Sequence, residues 1–302
     1  MAGPSSVLSG FKLSEQPQDQ DKVLWVKSIE AYATATGGDV LAEEFICHQN
    51  LALADPPARV NQAFSPAHHL GPRLLTLVEG RLKIELPAGF AIPVPANSPL
   101  AWDSMTHHLN HRPDEKPSRS EIFLRIRWLR DGMENGRPLR PLFRRHFYLA
   151  DQKAVLAKTG VSLPINDELC GVSAITPNNP IHFKVPPGEH LFEMDLAGQW
   201  DLPFDTTAHY ISAHLHTHHE WIRLYDVDQD RVVVELKGHS YPGRRGLQHI
   251  ADFSSVEGIP LRKDGRYRLQ AKYNNPTGEE IDGMAILYLH LLDEAPGPSA
   301  SR

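Results

Sequence analysis

The chain has 302 residues, 23% of them charged and 41% apolar, and a net charge of −6 with histidine neutral. This is the balance of an ordinary soluble globular protein, and it disfavours nucleic acid or an anionic membrane as the main partner. No apolar run approaches the roughly 18 residues a spanning helix needs, so no membrane segment is expected. The two cysteines, Cys47 and Cys170, lie far apart, which is not the pattern of a cysteine-stapled scaffold and leaves the compartment open. The first ten residues lack the basic and apolar regions of a secretory signal.

The 25 prolines and 21 glycines are spread along the chain and long helical periodicity is scarce. That combination predicts an all-β protein of many short strands and turns. The polar residues 1–20 read as a loose tail. Residues 22–32 and 40–53 read as strands, the second leading into Cys47-His48-Gln49-Asn50-Leu51, and a Pro-rich loop with His68-His69 follows. Further strands are expected at 73–79, 81–86, 100–109 and 121–129. Residues 130–145 show no periodicity and read as a long loop, and 151–158 as one or two helical turns. We place a domain boundary near residue 165, giving an N-terminal unit over 21–165 and a C-terminal unit over 166–293. Residues 294–302 are expected to be a disordered tail.

The densest chemistry is His214-Leu215-His216-Thr217-His218-His219-Glu220-Trp221, flanked by β-branched and aromatic residues and read as one strand. Alternation would put His214, His216, His218 and Glu220 on one face. Several imidazoles in a row make sense around a metal, because neutral imidazole is the commonest protein metal ligand. The last strand, 283–292, divides into an apolar face of Ala285, Leu287, Leu289 and Leu291 and a mixed face of Met284, Ile286, Tyr288 and His290. Two imidazoles and a thioether would suit copper rather than zinc, calcium or magnesium.

Taken together, His216-Thr217-His218-His219, Pro186-Pro187-Gly188-Glu189 and Asp282-Gly283-Met284-Ala285-Ile286-Leu287-Tyr288 resemble, in order and spacing, motifs of the copper type II, ascorbate-dependent monooxygenases. The resemblance covers roughly residues 170–292. It implies two tandem antiparallel β-sandwich domains, jelly-roll-like, with a copper site in each. The oxygen-activating copper would be held by His216, His218 and Met284. In the N-terminal half, Phe45-Ile46-Cys47-His48 stands where the family has a His-His pair, and the stretch around His107 and His108 where it has a third ligand. By that match His48 and His108 hold an electron-donating copper, with Cys47 and His107 as further candidates; thiolate is also a good ligand for Cu(I).

The resemblance further implies hydroxylation of a C–H bond of a small organic substrate by O2, with ascorbate or an equivalent reductant as electron donor. The protein would be a monomer with two coppers per chain, from a family that is mostly secreted or periplasmic. The family's substrate-recognition positions fall on His214, Ile286 and Tyr288; only the tyrosine is kept, so a glycine-extended peptide is not the expected substrate. Two other readings remain open. His214, His216 and Glu220 satisfy a cupin-like pattern for a mononuclear dioxygenase or isomerase, and Cys47 in place of a histidine fits a copper-binding protein without turnover.

Overall fold

The computed structural model describes residues 5–35, 37–54, 73–106, 120–130, 132–150, 181–242 and 246–294. In chain order its strands begin with β1 (Ser5–Phe11), β2 (Val23–Ala35), β3 (Ile46–Leu53), β4 (Arg73–Val78), β5 (Lys83–Glu85), β6 (Phe90–Pro95) and β7 (Leu100–Thr106). They continue with β8 (Ser120–Leu129), β9 (Met133–Glu134), β10 (Arg137–Pro138), β11 (Arg140–Tyr148), β12 (Phe183–Val185), β13 (Gly188–Asp195) and β14 (Thr206–Leu215). The last are β15 (His219–Asp226), β16 (Arg231–Ser240), β17 (Leu247–Ile250), β18 (Phe253–Leu261), β19 (Tyr267–Asn275), β20 (Ile281–Gly283) and β21 (Ala285–Leu292). Two short 3-10 turns are the only helices among the described residues, and no helix there is long and apolar enough to cross a membrane. The all-β expectation holds.

The strands form three main sheets. One has the order β1-β7-β3-β4, one β13-β19-β15-β16-β17, and a long one β18-β14-β21-β11-β6-β2-β5, with β8 also on β2. Pairing is antiparallel throughout except for a short parallel contact of β11 with β6, Arg140↔Phe90 and Pro141↔Ala91. Strands from both sides of residue 165 share the long sheet, since β11 lies against the final strand from Leu142↔Leu292 to Tyr148↔Ile286.

The two faces of β21 explain the layering. On the apolar side Leu287, Leu289 and Leu291 are wholly buried; each such side chain contributes about 1.5–3 kcal/mol. On the same side of the sheet, Phe147 of β11 stacks on Trp200, and Trp200 on Tyr267 of β19, at 4.8 and 4.0 Å between centroids. That face therefore packs under the five-stranded sheet. The mixed face looks the other way, toward β3 and β4. There His290 Nε2 meets the Leu74 carbonyl at 3.2 Å, and Arg144 Nη2 donates to Thr76 Oγ1 at 3.4 Å. The long sheet is thus covered on both faces at this point, which is why β14 is buried along nearly its whole length.

Three expectations need correcting. Residues 5–11 are not a tail: they pair with β7 over seven positions, Ser5↔Thr106 to Phe11↔Leu100. Residues 130–145 are not a long loop. Asn135 (φ 51°) and Gly136 (φ 76°) turn the β9–β10 hairpin, as an Asn-Gly pair favours, and β11 follows at once. Within it, the Glu134 carboxylate holds the buried Lys27 ammonium at 3.0 Å. Finally, the run from His214 to Trp221 is not one strand. The chain breaks at His216-Thr217-His218, and β14 and β15 belong to different sheets. The region 151–158, Cys170 and the His68-His69 loop lie outside the described residues.

Candidate metal centre

Cys47, His48 and His214 come together in the interior, each offering a ligand atom, all within 4.8 Å of one another. They are 7%, 5% and 5% exposed. Adjacent residues on a regular strand point to opposite faces, so Cys47 and His48 need a local device to share a site. The register of β3 against β7 supplies one: it shifts between Ile46↔Thr106 and His48↔Met105, leaving Cys47 as the extra residue of a β-bulge. Such bulges re-aim side chains. The third member comes from β14, where pairing of His214 with Ile286 and Leu215 with Ala285 fixes its depth. The His48 and His214 ring centroids are 5.6 Å apart.

Around this cluster runs a polar seam between the sheets. Arg144 lies over the Tyr288 ring at 4.5 Å. Thr76 Oγ1 donates to Asn50 Oδ1 at 2.9 Å, and Asn50 Nδ2 to Asp103 Oδ2 at 3.2 Å. Buried polar groups of this kind are held by such bonds and order the interface between layers.

A second group lies one step along the chain. His182, His216 and Asp282 also bring ligand atoms within 4.8 Å of one another. The Asp282 Oδ2 atom is 2.8 Å from His182 Nδ1 and 2.9 Å from His216 Nδ1. Burial opposes the Asp282 charge, but the hydrogen bonds from His182 and His216 outweigh it and hold the carboxyl well below the usual range. The antiparallel pairing of β12 with β20, Lys184↔Asp282, delivers His182 to this point. On the other side the turn at His216 is fixed by three bonds. The His216 N–H donates to the Tyr273 hydroxyl at 3.3 Å, His219 Nδ1 meets the His216 carbonyl at 2.8 Å, and the His218 N–H donates to Ser240 Oγ at 2.9 Å. His218 sits at φ 71°, a left-handed conformation that histidine visits more readily than most residues.

The structure therefore redistributes the expected ligands. His214, expected on the substrate side, joins Cys47 and His48. His216 and His218 flank opposite ends of a turn; His216 makes ring contacts with His182 and His214, at 5.3 and 5.6 Å, and none with His218 among the described residues. Met284 is buried, and its backbone shares the Tyr273 hydroxyl with His216: its N–H donates to that oxygen at 3.3 Å, and the hydroxyl donates to its carbonyl. Ile286 and Tyr288 are 0% and 1% exposed. They line the interior face beside His214 rather than an open surface. Glu220 pairs with Lys272 at 3.0 Å, so the cupin-like trio of His214, His216 and Glu220 is not assembled. His107 and His108 lie outside the described residues.

Sequence reasoning missed His182 and Asp282 as partners of His216. Asp282 stood inside a motif noted for its methionine, and nothing local to His182 marks it; only strand pairing unites them.

No family model matches the chain, and no curated protein does. Among solved structures it is similar to infectious bursal disease virus Gx strain, at 10% identity over 99% of this chain and 73% of that one, with a TM-score of 0.23. The VP2 subviral particle of the same virus aligns at 9% identity over 96% of this chain and 72% of that one, also at 0.23. Nothing about this chain follows from likeness at that level.

Proposed function

We propose that this chain is a copper-dependent oxidoreductase in which Cys47, His48 and His214 hold an electron-transferring copper. The observation that carries the reading is the convergence of one thiol and two imidazoles, from distant parts of the sequence, in buried space. That donor set suits copper in electron transfer. Bound there, copper would supply one-electron redox chemistry. The chain's own part is to bring the ligands together from two sheets and keep bulk water from them. The activity we assign is the one the family resemblance implies: hydroxylation of a C–H bond in a small organic substrate by O2, with ascorbate or a similar external donor.

A second reading, a copper-binding protein without turnover, is favoured by the closure of all three ligands from solvent. Copper titration of the full chain tests the first step. Copper bound at this group should show an intense thiolate charge-transfer absorption in the oxidised state, lost in Cys47→Ser; a chain that takes zinc or iron at these residues in preference to copper would sink the proposal. Dioxygen consumption with copper and ascorbate then separates an enzyme from a carrier.

A further inference from the structure

We infer that His182, His216 and Asp282 form a second metal centre, for a divalent first-row cation of the class that two imidazoles and a carboxylate hold with open positions, ferrous iron foremost. Three observations carry it. The donor atoms already converge, with one carboxylate oxygen facing both Nδ1 atoms at 2.8 and 2.9 Å. They come from three separate segments held by two devices: the β12–β20 pairing sets His182 beside Asp282, and the Tyr273 hydroxyl fixes the backbone of His216. Convergence of this kind is preorganised rather than an accident of flexible side chains. The Nε2 atom of His182 is buried and has no hydrogen-bond partner among the described residues, so the ring's second nitrogen is not committed to the fold.

The donor set differs in kind from that of Cys47, His48 and His214. Replacing thiolate by carboxylate moves preference from soft to harder ions, and two histidines with one carboxylate is the arrangement that leaves exchangeable positions on iron(II). Solvent access agrees. The side chains of His182, His216 and Asp282 are 27%, 23% and 53% exposed, so this centre is open where the other is closed. The two are neighbours, because His214 and His216 flank Leu215 and their ring centroids are 5.6 Å apart. An open centre beside a closed one-electron site is where a small substrate would meet the electron supply. This last step rests on the copper reading above; the second centre itself does not.

The test uses the full chain carrying Cys47→Ser and His48→Ala, which removes the first group and leaves the second. Iron(II), titrated anaerobically with zinc and manganese in parallel arms, should bind at one equivalent. Adding Asp282→Asn or His182→Ala should weaken binding by about 10–100-fold or more, with circular dichroism unchanged. His182 lies outside the strands and is partly exposed, so its variant guards against loss through misfolding. No binding in any arm, or binding equal in all variants, would overturn the inference. Iron retained by this background when copper fails to load the unmodified chain would refute the copper reading alone.

Discussion

The imidazoles of His48 and His214 face each other across two sheets, 5.6 Å between centroids. One rides on a bulged edge of β3 and the other on a central strand of the long sheet, so a metal held by both ties the sheets together. Such a ligand binds the native state alone and stabilises it by mass action, by about 2.7 kcal/mol when free ligand stands at 100 times the dissociation constant. Copper should therefore raise the unfolding midpoint of the wild-type chain by more than those of His48→Ala and His214→Ala, which lack this group. An equal rise in all three would mean the metal binds elsewhere.

Tyr273 links the two stretches that sequence reasoning had paired, the histidine run and the Met284 segment. Its hydroxyl takes the N–H of both His216 and Met284 at 3.3 Å and donates to the Met284 carbonyl. Tyr273→Phe keeps the ring and strands those backbone groups in a buried place. The expected cost is about 1–3 kcal/mol, read by denaturant unfolding, together with weaker metal binding at His182, His216 and Asp282. A variant as stable as wild type would show that the hydroxyl is dispensable.

The sequence made some of this legible and hid the rest for identifiable reasons. The two faces of 283–292 could be read directly, because strand alternation is local, and they foretold which side packs in an apolar layer and which meets a polar one. The break at His216–His218 was hidden because its residues look like their β-prone flanks and histidine tolerates the left-handed conformation at His218. The Asn135-Gly136 pair is a turn signal, but the strands it joins are two residues each, too short to show alternation. Nothing local could have joined Cys47 and His48 to His214 instead of a later histidine, since a bulge and an inter-sheet packing decide it. His182 and Asp282 depend likewise on the register of β12 with β20.

Gly238 on β16 lies against the His219 ring. A Cβ there would stand 1.6 Å from His219 Nε2, and the ring cannot swing aside freely because it is buried and its Nδ1 is held by the His216 carbonyl. Overpacking of this sort costs about 1–3 kcal/mol. Gly238→Ala should lower the denaturation midpoint, and adding His219→Ala should restore part of the loss. Equal losses in the single and double variants would mean that the clash is not with this ring.

Lys27 anchors the hairpin that the sequence had suggested was a loop. Its ammonium donates to the Pro87 and Phe90 carbonyls at 3.0 and 2.7 Å and to Glu134 at 3.0 Å. Lys27→Met removes the cation and leaves a largely buried carboxylate and two carbonyls to be satisfied otherwise. Breaking a buried pair from one side costs on the order of 3 kcal/mol. Chemical denaturation should show that loss, and Glu134→Gln on top of Lys27→Met should recover some of it. A Lys27→Met protein within a few tenths of wild type would contradict this account.

His290 should make stability depend on pH. Burial, aided by the Arg144 charge and opposed by the Leu74 hydrogen bond, pushes its imidazole down to about 3, against about 6.5 in an unfolded chain. Between those values the unfolded chain binds the extra proton, so stability rises with pH across that window. The contribution is fully present above about pH 6.5 and is lost as pH falls toward 3; on the linkage scale it amounts to roughly 5 kcal/mol at most. His219, pushed to about 4 chiefly by burial, acts in the same sense, so the test compares slopes rather than totals. Unfolding free energies at pH 7, 6, 5 and 4 should fall more steeply for wild type than for His290→Gln, and parallel curves would remove His290 from the account.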